Sequence, residues 1–277
     1  MRWCAALVLL LPVVAGCSSS AAKKIEIAPA KTYKLAGFRP AGPVRPGEAT
    51  TVAFTIDQPS GSPLTNYRTG AGPHTGVHLI IVRTDLSTII HRHPRVRPSG
   101  RFEQRIVFPA PGRYRVIVDA YPRTGVLRNF QLFKDVTVSG KVKRQPLGGY
   151  SANTVVDGFR FVAPAHPRVR SSQASFLTVR VTDAAGKPAH FRPWFGALAH
   201  AIFFRAGTLD YFHTHVCSPG ANGCTSFVGA TRITGRSSSP GKLTIGVLVP
   251  TPGTWKLFLQ SQPNGHLITV PYVLKVS

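Results

Sequence analysis

Hydrophobic positions along this 277-residue chain come in short runs, not in stripes spaced three to four residues apart. ATTVAFTID, VHLIIV, RFEQRIVF, RYRVIVDAY and FQLFKDVTV fall in the first half. GFRFVA, SFLTVRVTD, HAIFFRA, KLTIGVLV, TWKLFLQS and YVLKV fall in the second. The runs are rich in β-branched and aromatic residues and are bounded by glycine and proline, the marks of strands closed by turns. Helical amphipathic periodicity is absent outside the N-terminal segment. Short strands at near-regular spacing predict an all-β chain made of β-sandwiches.

The runs form two matching series. PGEATTVAFTIDQPSGSPL parallels SSQASFLTVRVTDAAGKPA, and GRFEQRIVFPAPGRYRVIVDAYPRTG parallels GKLTIGVLVPTPGTWKLFLQSQPNG. In the shared P-x-P-G-x-[YW] step the prolines end an edge and the glycine permits a tight turn. Tyr114 or Trp255 then starts a core strand as a large anchor. The basic, Gly- and Pro-containing stretch from Ser139 to Ser151 lacks strand alternation and marks the boundary. The predicted organisation is a first sandwich over 31–139, a linker over 140–150 and a second sandwich over 151–277. An insertion in the second sandwich follows His215.

The N-terminus changes the picture of where the chain works. Arg2 precedes an apolar run of a dozen residues, too short to span a bilayer comfortably. It ends in Val14-Ala15-Gly16-Cys17, which resembles the bacterial lipobox. That reading makes 1–16 a cleaved signal peptide, Cys17 the lipidated residue and 17–30 a flexible tether. A plain secretory signal or an uncleaved anchor are the other readings. The expected location is the cell envelope, anchored by lipid on the outer side of the cytoplasmic membrane, or on an outer membrane if there is one. Cys4 leaves with the signal. Cys217 and Cys224, separated by SPGANG, are then expected to form a disulfide in an oxidising compartment. Two thiols, or Cys217 as a metal ligand, are the alternatives.

Lys and Arg number 34 against 10 Asp and Glu, a formal net charge of +24. Nucleic acid is set aside as a partner, because the chain reads as exported and carries no nucleic-acid-binding motif. A basic surface beside a membrane suits anionic lipid or an acidic wall polymer; an arginine-rich genome accounts for the charge equally well.

Six of the ten histidines fall in a repeated spacing, H-x12-H-x-H: His78, His91 and His93, then His200, His213 and His215. His74, His166, His190 and His266 do not repeat. A symmetric turn centred on Thr84-Asp85 sets His78 opposite His91, with His93 two residues on along the same face. A turn centred on Ala206-Gly207 sets His200 opposite His213 in the same way, with His215 alongside. A bulge in either hairpin breaks this arrangement. Three convergent neutral imidazoles suit Zn(II) or Cu(II), with a fourth position for water or a transferred ligand. Soft Cu(I) fits less well, because Met1 is the only methionine. The competing account is a duplicated structural role. Arg83, Arg92, Arg95 and Arg97 crowd the first hairpin, whereas the second has Thr214 in place of Arg92 and Asp210 nearby. The second is therefore expected to bind metal better, and the first could hold an anion.

GVHLIIVRTDLSTIIHRHP and LAHAIFFRAGTLDYFHTHV resemble the histidine hairpin of bacterial extracytoplasmic Ig-like (cupredoxin-like) domains of the YtkA-like kind. The resemblance covers the hairpin and the P-G-x-[YW] strand of each unit. It implies a tandem Ig-like β-sandwich lipoprotein concerned with copper or other heavy metals, with the six histidines as candidate ligands. Catalysis finds little footing. The ten acids form no obvious pair, and no G-x-S-x-G, H-E-x-x-H or phosphate loop occurs. The expected function is non-catalytic metal binding in the envelope. The alternative is an Ig-like interaction or adhesion module with a basic binding surface.

Overall fold

The structure is a computed structural model describing residues 32–68, 76–123, 129–221, 223–228 and 230–277. The expected signal peptide, tether and lipidation site Cys17 lie outside the described residues. Every regular element among the described residues is a strand. The first half contains β1 (Lys34–Arg39), β2 (Ala49–Asp57), β3 (Val77–Arg83), β4 (Ile89–Arg92), β5 (Arg101–Val107), β6 (Gly112–Ala120) and β7 (Phe130–Val138). The second contains β8 (Asn153–Val156), β9 (Phe159–Val162), β10 (Ser175–Thr182), β11 (Phe191–Arg192), β12 (Ala199–Arg205) and β13 (Tyr211–Cys217). It continues with β14 (Thr225–Val228), β15 (Thr231–Arg236), β16 (Lys242–Val247), β17 (Gly253–Pro263) and β18 (Ile268–Val276).

The first sandwich sets the sheet β1-β2-β5 against β4-β3-β6-β7. Alternate residues of each strand fill one core, which includes Phe54, Phe102, Phe108 and Tyr114. The second sandwich has its own core around Phe161, Phe203, Trp255 and Tyr272. Its two sheets are joined through β15, which pairs with β16 and, in parallel, with β13. Gly235 allows that junction: a Cβ there would lie 2.3 Å from the His215 carbonyl oxygen. The disulfide Cys217–Cys224 is formed and pins the insertion that carries β14 and β15 to the end of β13.

The P-x-P-G-x-[YW] step is the same device in both halves. Tyr114 Oη donates to the Ala110 carbonyl at 2.9 Å, and Trp255 Nε1 donates to the Thr251 carbonyl at 2.9 Å. Each anchor is thus buried with its polar atom satisfied by the turn before its strand.

A second kind of core lies between the sandwiches. β3 is buried along its whole length, as is β12 up to Phe204. Val77, Leu79 and Ile81 face the first core, while Ile80 and Val82 face outward onto Ile202, Phe204, Leu209 and Phe258 of the second half. Two-sided burial explains why VHLIIV and HAIFF show no hydrophobic alternation. The 140–150 segment runs beside this contact. The Lys143 carbonyl accepts from Arg83 Nη2, the Leu147 carbonyl accepts from Lys256 Nζ, and Gln145 N donates to Asp85.

The hairpins close differently from the symmetric turns expected. Ile80, not His78, lies opposite His91, and Ile202, not His200, lies opposite His213. His200 faces His215 directly. The cause is a four-residue loop in each hairpin, closed by Arg83 N to Thr88 O at 3.0 Å and by Arg205 N to Asp210 O at 2.9 Å. Each loop passes through a leucine with positive φ, Leu86 at 59° and Leu209 at 62°. The displacement is an even number of residues, so every histidine keeps its face.

Candidate metal centre between the sandwiches

His78 continues the outward face of Ile80 and Val82, and His200 continues that of Ile202 and Phe204. The contact between the sandwiches is therefore apolar at the hairpin tips and imidazole-lined at the other end. All six predicted histidines meet there. Their rings form one contiguous cluster, with centroids of 4.4 Å for His213–His215, 4.8 Å for His91–His200 and 4.5 Å for His78–His93. Five of them are buried, and His93 is partly so.

The groups with metal-ligand spacing are not the two hairpin triplets. One is His78 with His213 and His215; the other is His200 with His91 and His93. Each takes two histidines from one hairpin and the first histidine of the other. Within each group one ligand nitrogen per residue lies within 4.8 Å of the others. A tetrahedral shell with Zn–N bonds of 2.0–2.1 Å separates nitrogens by about 3.3 Å, so a small inward rotation of the rings closes either group.

The hydrogen bonds around the cluster suit ligands. His78 Nδ1 is 3.4 Å from Asp119 Oδ2, His91 Nδ1 is 3.1 Å from Gln260 Oε1, and His200 Nε2 is 2.8 Å from the Trp194 carbonyl. All three partners accept, so in each ring that nitrogen donates and the other carries the lone pair. Gln260 is held in this sense by its Nε2, which donates to Thr269 Oγ1 at 3.1 Å. His213 Nδ1 is buried without a hydrogen-bond partner, a cost that a bound ion would remove. Burial first, and then the neighbouring imidazoles, hold His91 and His213 well below the usual histidine range. Both are neutral at pH 7, the form that binds metal.

Asp119 is the residue that sequence reasoning passed over. Its oxygens accept from Tyr121 Oη at 3.1 Å, Tyr211 Oη at 3.4 Å, Asn129 Nδ2 at 3.2 Å and Gln131 Nε2 at 3.3 Å, besides His78. Burial, followed by the Asp119 charge, pushes the Tyr121 and Tyr211 hydroxyls well above the usual tyrosine range, so both remain donors. Asp210, the acid expected to tune the second hairpin, instead pairs with Arg205 at 3.6 Å and is half-buried. Three of the four arginines expected to crowd the first hairpin have partners other than the imidazoles. Arg83 sits at the hairpin tip on Asp85 and the Pro111 carbonyl, Arg97 pairs with Glu103, and Arg92 donates to the His91 carbonyl. Trp194 and Phe195 were missed as well. They lie in a stretch with no periodicity, yet Phe195 stacks on His93 at 4.0 Å, and Trp194 meets His91 and His200 edge-on at 5.2 and 5.3 Å. Signals for Asp119 were present in the repeat alignment, which sets it level with Gln260.

The chain belongs to the family described as Domain of unknown function (DUF8832), whose model matches residues 32–140 and 154–277. No curated protein matches it in sequence. Among solved structures it is similar to an alpha-2-macroglobulin from Salmonella, at 11% identity and a TM-score of 0.29, covering 92% of this chain and 15% of that one. It is similar to invasin, a bacterial integrin-binding protein, at 14% identity and a TM-score of 0.24, covering 89% and 39%. Tandem Ig repeats of Dlar give 11% identity and a TM-score of 0.24, covering 90% and 99%. This chain thus spans well under two thirds of the first two.

Proposed function

We propose that this family member is a non-catalytic metal-binding protein of the cell envelope, holding Cu(II) or Zn(II) in the six-histidine chamber between its sandwiches. One observation carries the reading: six imidazoles converge in a buried interface, and three of them are oriented from behind by acceptors that fix the nitrogen offered inward. Burying that many polar rings for architecture alone is poorly matched to the apolar packing available a few residues away on the same strands. His78, His213 and His215 would hold one ion and His91, His93 and His200 another; a bound ion would supply Lewis acidity and a site for a transferred ligand. The YtkA-like resemblance of the hairpins agrees with copper or heavy-metal handling. Lipidation at Cys17 would keep the protein at the membrane, outside the cytoplasm, where the Cys217–Cys224 bridge persists.

The test is a thermal melt with and without equimolar Zn(II) or Cu(II), beside His213→Ala/His215→Ala. Binding to the native state raises the melting temperature, and the variant loses the rise. A melting temperature that ignores both ions rejects the reading.

A second reading has its own observation. At the hairpin tips Arg83, Arg113, Arg115 and Arg144 line a hollow of about 530 Å³ that contains one acid, Asp85. With the +24 charge, it fits an Ig-like interaction module that holds anionic lipid, wall polymer or an acidic protein partner. Retention on anionic vesicles that falls with salt and persists in the histidine variant supports it; retention indifferent to salt rejects it.

A further inference from the structure

The two triplets come from one repeat but are finished differently. Asp119 and Gln260 stand at equivalent places, each directly across the sheet from the first histidine of its hairpin: Asp119 from His78, Gln260 from His200. Asp119 backs His78 with a carboxylate, whereas Gln260 offers a neutral amide oxygen to His91 of the other triplet. The surroundings differ in the same sense. Asp119, Tyr121, Tyr211 and His213 line one side of a cavity of about 440 Å³, with Arg68 also in its wall. The other triplet is covered by the rings of Trp194 and Phe195.

We infer that the two triplets sort ions by charge: His78, His213 and His215 take a divalent ion, and His91, His93 and His200 take monovalent Cu(I). The inference rests on the metal-binding reading above. The cost of moving an ion out of water grows with the square of its charge, so a dication needs a compensating carboxylate far more than a monocation does. Asp119 supplies that charge at one triplet only. Zn(II) or Cu(II) on three imidazoles completes its shell with a further ligand, for which the cavity beside His213 has room. Cu(I) is satisfied by three nitrogens shielded from water, and the rings of Trp194 and Phe195 shield this triplet, of which His93 alone is partly exposed. The triplets also touch: His200 Nδ1 lies 3.4 Å from His213 Nε2. A dication in one triplet therefore raises the cost of a second dication more than that of a monocation. The missing methionines count less against Cu(I) where aromatic rings shield the imidazoles.

The purified protein, disulfide intact, would be titrated anaerobically with Zn(II) and with Cu(I) kept reduced by ascorbate. Bound ions are counted after gel filtration, and Trp194 emission is followed against a Trp194→Phe control. The expected result is one equivalent of Zn(II) without change in Trp194 emission, then one equivalent of Cu(I) that quenches it. Asp119→Asn should weaken Zn(II) at least tenfold and leave Cu(I) within about twofold. Gln260→Glu should admit a second Zn(II), a gain of function that stands even if Asp119→Asn fails to fold. Two equal Zn(II) equivalents in the unaltered protein overturn the inference, as does equal weakening of both ions by Asp119→Asn. Binding of neither ion overturns the metal-binding reading itself.

Discussion

His93 of the first sandwich lies flat on Phe195 of the second, with centroids 4.0 Å apart and planes within 12°. A candidate ligand from one half is therefore positioned by a ring from the other. Phe195→Ala is expected to cost about 1–2 kcal/mol, through lost burial and stacking. The specific readout is NMR: the His93 ring protons should lose the upfield shift that a stacked ring imposes. Unchanged His93 resonances would show that the stack is not maintained in solution.

Acid should destabilise the metal-free protein. His91 and His213 are held below the histidine value of 6.5 in the folded state, by burial and then by their neighbours. The unfolded chain therefore takes up protons at these positions first. Their contribution is intact above about pH 6.5 and is lost as pH falls from there through the lowered folded values, at about 1.4 kcal/mol per unit for each residue. Urea midpoints should be level from pH 8 to 7 and drop below 6.5. The drop should be shallower in His91→Gln/His213→Gln. A midpoint that rises on acidification contradicts the assignment.

The apolar end of the interface should be as sensitive as a domain core. Phe204 is fully buried among Ile80, Ile117 and Phe258, and Phe204→Ala is expected to cost about 3–5 kcal/mol. Chemical denaturation should report the loss in a single transition if the sandwiches unfold together. A cost below about 1 kcal/mol would mean that the halves separate readily.

Leu209 adopts positive φ at 62° and is mostly buried in the same cluster. Glycine relieves about 1 kcal/mol of backbone strain there but removes a buried side chain worth about 2 kcal/mol or more. Leu209→Gly should therefore be net destabilising. A stabilised variant would show that the leucine is tolerated, not required.

Opening Cys217–Cys224 should loosen the β14–β15 insertion. The bridge closes a short loop, sequence separation 7, and removing it in Cys217→Ser/Cys224→Ser should cost about 2–3 kcal/mol. Hydrogen exchange should quicken in Thr225–Val228 before it quickens in β12 or β17. Uniform protection in the variant would argue that the strands hold the insertion unaided.

Much of this was legible in the sequence. Strand runs, two series, Tyr114 and Trp255 as anchors, and a duplicated histidine spacing were all visible from residue types and periods. Face assignment survived an error in register because both loops differ from a symmetric turn by an even number of residues. What the sequence withheld was tertiary. VHLIIV and HAIFF signal two-sided burial, yet nothing local says that each buries its second face on the other. Without that docking, His78 is grouped with His91 and His93, and the exchange with His213 and His215 stays hidden. Asp119 looks like one isolated acid among ten until the strands bring Tyr121, Asn129, Gln131 and, from the other half, Tyr211 around it. Asp210 was conspicuous only because it lay near in sequence.

The exchange of histidines between the repeats has a consequence for ancestry. A lone repeat supplies one histidine to one triplet and two to the other, and so completes neither, but two copies related by a twofold axis would rebuild both, each copy lending its first histidine to the other. In such a homodimer every substitution would strike both centres at once. Joined in one chain, the copies are released from that constraint: Asp119 and Gln260 already differ, and each centre is open to change without the other.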